Sequence, residues 1–217
     1  MELTQLIKER ACVRKFTDKK PSKDQLKAIL EAGRLAPSWV NVQPWHFIVV
    51  QDPETIKLLG KLSFDQPHVT KAHTLIVCCG TTDSWEDDNY KEIIITRPNI
   101  TKEKIDFLLN SPTFNPMKIS EEAVLMRTTE EVTYAIAYMT LETENQGLAC
   151  CVIGAIGNPL TKSNLDVYQQ VKEKLNLDGT TFIVALLVIV YPDGEKPPKT
   201  RKNFDQIVSY NKYKDPF

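Results

Sequence analysis

The chain has 217 residues, enough to bury one core, and one domain over residues 1–217 is the expectation at about 100 to 200 residues per domain. Its 27 basic and 28 acidic side chains give a net charge of −1, which argues against nucleic acid or an acidic membrane surface as the main partner. No apolar run approaches the roughly 18 residues of a membrane span, and Met1 to Leu6 lack a basic flank and apolar core, so a cytoplasmic chain is expected.

Leu3, Leu6 and Ile7 give the first helix an apolar side. Arg10 to Phe16 then leaves it in extended form, where residues two apart face one way and Arg10, Cys12 and Arg14 line one wall. Ser22 and Gln25 form a capping box for a second helix with Leu26, Ile29, Leu30 and Gly33 on one face, ending before Pro37. A loop leads to a buried strand over Phe47 to Val50, and Asp52-Pro53 starts a helix carrying Ile56, Leu58, Leu59 and Leu62. Thr74 to Cys79 reads as a second buried strand.

Residues 81–119 are polar, hold Pro98, Pro112 and Pro116, and contain one expected helix over Thr101 to Leu109. Too short to bury a core alone, they read as an excursion that shapes a pocket mouth. Ser120 opens the longest helical pattern, which Gly147 ends near Gln146. Small residues on both of its sides predict burial all round, as in a central or dimer-interface helix. A strand near Ala149 to Ile153, a turn at Gly154 and Gly157, a helix over Asn164 to Leu175 and a strand over Thr180 to Tyr191 follow, then a basic tail from Lys196 to Lys202. The order of elements gives an α+β layer fold with a central, mainly antiparallel sheet flanked by helices. No GxGxxG follows a strand and no GxxxxGK[ST] is present, which disfavours Rossmann and P-loop architectures.

The five cysteines, Cys12, Cys78, Cys79, Cys150 and Cys151, include two adjacent pairs in apolar runs. Neighbours on a strand face opposite ways, so core thiols are favoured over a metal site and no metal is expected. His46, His68 and His73 are scattered and read as structural.

The stretch from Ala36 to Val50 carries more rigid, hydrogen-bonding chemistry than a connector needs: Pro37, Ser38, Trp39, Asn41, Gln43, Pro44 and Trp45 within nine positions. Such a loop suits a flat, polar-edged ligand. Together with Arg10, Ala11, Cys12, Arg14 and Phe16 it resembles the nitroreductase family of FMN-dependent oxidoreductases. The family's Arg-Arg-Ser-x-Arg-x-Phe pattern appears in Arg10 to Phe16, and its Pro-Ser-x-x-Asn-x-Gln-Pro-Trp-x-Phe pattern is intact from Pro37 to Phe47.

The resemblance implies a nitroreductase-like fold, a homodimer with FMN at the subunit interface, and NADH or NADPH as co-substrate. It places Arg10, Ala11 and Cys12 at the FMN phosphate, with Lys199 and Arg201 as the other half of the clamp, and Arg14 at the N1 and O2 edge of the ring. Pro37, Ser38, Trp39 and Asn41 lie along the flavin, partly from the partner subunit. Gln66 faces the pyrimidine edge, and a backbone N–H at Ile153 or Gly154 meets N5. Two departures stand out: Cys12 replaces the usual serine, and Ile153 replaces an acid. No side chain is required as an acid or base, so the catalytic set is empty and the flavin supplies the chemistry. The implied reaction is ping-pong transfer of two electrons from NAD(P)H to a nitroaromatic, a quinone or a similar small-molecule acceptor. Reductive dehalogenation, flavin fragmentation, a flavin carrier without turnover and a cofactor-free interaction protein remain as other readings.

Overall fold

Four apolar runs form strands: β1 (Trp45–Val50), β2 (Leu75–Thr81), β3 (Ala149–Ile153) and β4 (Thr181–Val190). In the computed structural model, which describes residues 2–217, they pair antiparallel in the order β1-β2-β4-β3. The two central strands are covered on both faces, which is why they read as continuous apolar runs without alternation. β1 begins at Trp45, two residues before the expected strand. β2 runs to Thr81, because Trp45 pairs with Gly80 and extends the ladder past the apolar residues.

Among the described residues eight α-helices surround the sheet: α1 (Leu3–Glu9), α2 (Lys23–Arg34), α3 (Pro53–Leu62), α4 (Pro67–Thr70), α5 (Asp87–Ile94), α6 (Lys102–Asn110), α7 (Glu121–Asn145) and α8 (Leu165–Leu175). The Ser22 and Gln25 capping box is present at the start of α2. On one face of the sheet Leu59 and Leu62 of α3 and Val171 of α8 pack on Val77, Leu186 and Val188. On the other, Leu26 and Ile29 of α2 and Val132, Ile136 and Met139 of α7 pack on Ile76, Leu187 and Ile189. A Cβ at Gly33 would sit 2.9 Å from Met139 Cγ, so glycine permits the close approach of α2 and α7. A bulge between Cys78 and Cys79 leaves Val184 of β4 unpaired.

Residues 81–119 hold two helices where one was expected. α5 escaped notice because it buries only Tyr90 and Ile94 from an otherwise polar sequence. Trp85, Tyr90, Ile94, Leu108 and Leu109 form a third apolar cluster with Val42 and Val124. Trp85 Nε1 donates to Thr128 Oγ1 at 2.9 Å and fastens the segment to α7.

Of the burial expected all round α7, its own chain supplies one side. The helix buries one face, from Val124 and Thr128 through Val132, Ile136 and Met139 to Thr143, while Met126, Tyr134 and Tyr138 are exposed. Small residues such as Ala137 permit contact without creating it, and within one chain that side has none. Among the described residues no helix is long and apolar enough to cross a membrane.

Candidate functional site

Arg10 caps α1 and turns the chain into extended backbone. The Val13 N–H donates to Cys150 O at 3.1 Å, a parallel bridge pairs Cys12 with Cys150, and Phe16 pairs with Pro192, so the segment lies along the outer side of β3. Ala11 and Val13 are buried while Arg10, Cys12 and Arg14 alternate with them, the two-residue period of a strand.

The basic tail returns to the same place. Lys199 Nζ donates to Ile7 O at 2.6 Å, and Lys196 pairs with the buried Glu144 carboxylate. Partial burial, then Arg10, then Arg201, push the Lys199 ammonium down, which marks three cations sharing one field. Among the described residues none of Arg10, Arg14, Lys199 and Arg201 is within salt-bridge reach of a carboxylate. A cleft of about 380 Å³ beside them is lined by Lys8, Glu9, Ala11, Glu195, Lys196 and Lys199.

Within this field the hydrogen bond from Cys151 draws the Cys12 thiol down to about 5 against the opposing effect of burial, with the Val152 N–H and Arg10 adding to it. Cys78, Cys79, Cys150 and Cys151 are buried. Among the described residues no group of three or more His, Cys, Asp or Glu side chains is arranged to hold a metal ion.

Gln66 caps α4, and its Nε2 donates to Ser63 O at 3.0 Å and to Ala155 O at 3.3 Å, which places α4 against the turn after Ile153 and Gly154. A Cβ at Gly154 would meet nothing within 4 Å, so the backbone there is open to a ligand. His68, read as structural from the sequence, is buried on α4, where Nε2 has no partner among the described residues. Burial, then the charge of Arg14, push its imidazole down, while Cys12 acts the other way, so it stays neutral near pH 7. A one-turn helix has no periodicity, and the sole signal for His68 was its two-residue offset from Gln66.

The second motif stands elsewhere. The Trp39 N–H donates to the buried Glu131 carboxylate at 2.8 Å, its ring lies 6.4 Å from Trp85, and the Arg127 guanidinium sits 4.0 Å over it. Burial raises the Glu131 carboxyl against the pull of the Trp39 N–H and Arg127. Val40, Asn41 and Gln43 have φ of 51°, 62° and 51°, and the Gln43 N–H donates to Ser38 Oγ at 3.0 Å. A left-handed β-branched residue such as Val40 stores strain of roughly 1–3 kcal/mol, the kind found where backbone shape serves a ligand.

Arg10, Ala11, Cys12, Arg14, Gln66, Ile153, Gly154, Lys199 and Arg201 therefore gather around β3. Pro37, Ser38, Trp39 and Asn41 gather at the start of β1. These strands are opposite edges of the sheet, three strand spacings or roughly 14 Å apart.

The chain matches the profile of the nitroreductase family over residues 7–191. It belongs to that family. Over 211 residues the chain is 28% identical to an iodotyrosine deiodinase from Thermotoga neapolitana, covering 97% of this chain and 98% of that one. It is 28% identical over 201 residues to an FMN reductase [NAD(P)H] from Bacillus subtilis, covering 92% and 70% of the two chains. A nitroreductase-like protein from Streptococcus mutans superposes with a TM-score of 0.79 at 18% identity, covering 96% and 98%. Among the described residues the chain thus presents cations without carboxylate partners, an imidazole nitrogen without a partner and an open backbone turn on one edge. These groups fit a ligand with an anionic tail and a hydrogen-bonding ring.

Proposed function

We propose that this nitroreductase, an FMN-dependent NAD(P)H oxidoreductase, holds FMN between two copies of the chain and passes two electrons to a nitroaromatic, quinone or similar acceptor. The observation that carries the reading is the separation of the two motifs onto opposite edges of one sheet. A second copy brings the loop from Pro37 to Asn41 of one chain over the cations of the other. Exposed Leu3, Ile7, Met126, Tyr134 and Tyr138 supply apolar surface for that contact.

In this reading Arg10, Lys199 and Arg201 hold the phosphate through charge-assisted hydrogen bonds. Arg14 stabilises negative charge at the pyrimidine edge of the ring, where Gln66 and His68 supply further polar contacts. A backbone N–H at Ile153 or Gly154 orients the reactive edge, and no side chain moves a proton. When bound, FMN supplies the two-electron chemistry. The chain acts as one FMN-binding domain, and α5 and α6 shape the mouth through which the acceptor enters.

The test is an absorbance spectrum of the purified protein before and after anaerobic addition of NADH and then NADPH. Flavin bands that bleach are the expected result. Bands that persist with both donors support a carrier, and a protein that takes up no added FMN overturns the reading. Coverage of nearly the whole chain by the deiodinase relative favours reductive dehalogenation as the second reading. Iodide release from an iodinated phenol by the reduced protein distinguishes it.

A further inference from the structure

Glu131 lies on the inward side of α7 and is 1% exposed. A carboxylate is costly to bury and needs a compensating partner. Among the described residues no cation lies within salt-bridge reach of it, and Arg127, one turn earlier, pairs instead with Glu130 at 2.6 Å. What the Glu131 carboxylate holds is the Trp39 backbone N–H, at 2.8 Å and 92 positions away in the chain.

That N–H stands at the entry to the strained part of the loop. Ser38 before it is extended, with φ of −138° and ψ of 152°, while Val40, Asn41 and Gln43 beyond it are left-handed. Such conformations persist only where their surroundings fix them from several sides. Two neighbouring turns of α7 supply three fixings: Arg127 over the Trp39 ring, Thr128 on Trp85 beside that ring, and Glu131 on the Trp39 N–H. Of the three, Glu131 grips the backbone.

We propose that Glu131 is a positioning residue for the cofactor: by fastening the Trp39 N–H it holds Pro37, Ser38 and Asn41 in the shape that meets the flavin bound with the partner copy. The proposal rests on the two-copy reading above. An apolar side chain would fill the same space but leave the Trp39 N–H without its acceptor, freeing the left-handed residues to relax. Burial raises the Glu131 carboxyl, yet charged or neutral it offers Trp39 an oxygen, and a glutamine amide does the same. The conservative variant therefore separates the grip on the loop from the charge itself.

The first test needs no flavin. In cofactor-free protein, amide hydrogen exchange is followed in peptides covering residues 36–45 and in those of β2 and β4. Glu131→Ala is expected to speed exchange in residues 36–45 by about 10-fold, the loss of a bond to a charged acceptor, and to leave the strands unchanged. Glu131→Gln keeps wild-type protection. Equal protection of the loop in wild type and Glu131→Ala, or equal loss in loop and strands, overturns the proposal.

The second test follows the loop to the site it serves. Glu131→Ala is expected to weaken FMN uptake about 10-fold, with Glu131→Gln restoring it. Because Glu131 acts on the loop of its own chain, Glu131→Ala refolded with Arg10→Ala should form one unaltered site per mixed dimer and regain activity, whereas Glu131→Ala refolded with Asn41→Ala should not. A general loss of stability would not sort the two mixtures in this way. Arg10→Ala refolded with Asn41→Ala is the control. With the control active, recovery in both mixtures, in neither, or only with Asn41→Ala overturns the assignment. With the control inactive, the two-copy reading fails and hydrogen exchange alone decides whether Glu131 holds the loop.

Discussion

The two arginines of the N-terminal segment sit two residues apart on one wall yet face different chemistry. Arg10 shares its field with Lys199, whereas Arg14 is felt by His68. Arg10→Ala is expected to weaken FMN binding about 10- to 100-fold, the loss of one charge-assisted bond of roughly 1.5–3 kcal/mol. Arg14→Ala is expected to lower the flavin's two-electron potential by about 30–60 mV, the same energy expressed on an electrode. Titration of flavin fluorescence and redox titration with a reference dye separate the two, and equal shifts in potential would contradict the assignment. Cys12 adds a pH dependence. Its thiol titrates near 9.0 in the unfolded chain and near 5 in the fold, so between those values the unfolded state binds more protons. The stabilisation is complete above about pH 9 and is lost as pH falls through about 5. In flavin-free protein Cys12→Ser should flatten the rise of Tm between pH 5 and 9. An unchanged slope would show that the thiol is not ionised.

At the scale of elements, the fastening of residues 81–119 depends on β2 and α7 meeting closely. A Cβ at Gly80 would lie 2.5 Å from Thr128 Cγ2 and 3.1 Å from the Phe182 ring, and Thr128 is both buried and the acceptor for Trp85. Gly80→Ala should therefore cost about 1–3 kcal/mol as overpacking. Urea unfolding measures it, and a loss below half a kcal/mol, on the order of an ordinary surface change, would mean that α7 yields freely. The legible elements were those with a strong local cause. β4 is ten residues of nearly unbroken apolar sequence, and α2 carries its own cap. α4 and α5 were not legible, because four residues carry no period and two buried positions make no stripe. The exposed side of α7 is a related case: a sequence shows that a face is able to pack, and not whether its own chain covers it.

At the scale of the molecule, each candidate motif was readable alone, while their separation was not. Strand order is set by long-range pairing, and nothing near Pro37 or Arg10 records that β2 and β4 come between them. The separation makes a strong prediction. Arg10→Ala and Asn41→Ala, each impaired as a pure protein, should recover activity when unfolded and refolded together. A mixed dimer has one doubly altered site and one unaltered site, so random pairing restores about a quarter of the sites. No recovery, with mixed dimers demonstrated by mass, would place both motifs in one chain's site.

The bulge at Val184 has a consequence for the whole sheet. Val184 and Ala185 both pack toward α2 and α7, whereas Ile183 and Leu186 face α3 and α8. β4 is almost equally apolar on its two sides, so its composition holds no preference for which side meets which helical layer. The unpaired residue acts as a phase inverter, reversing the alternation midway along the strand. Taking Val184 into the ladder in regular alternation, with no bulge, would turn residues 185–190 over without placing a single polar group in the core, and only the shapes of Ala185, Leu187 and Ile189 against Leu186, Val188 and Val190 would register the error.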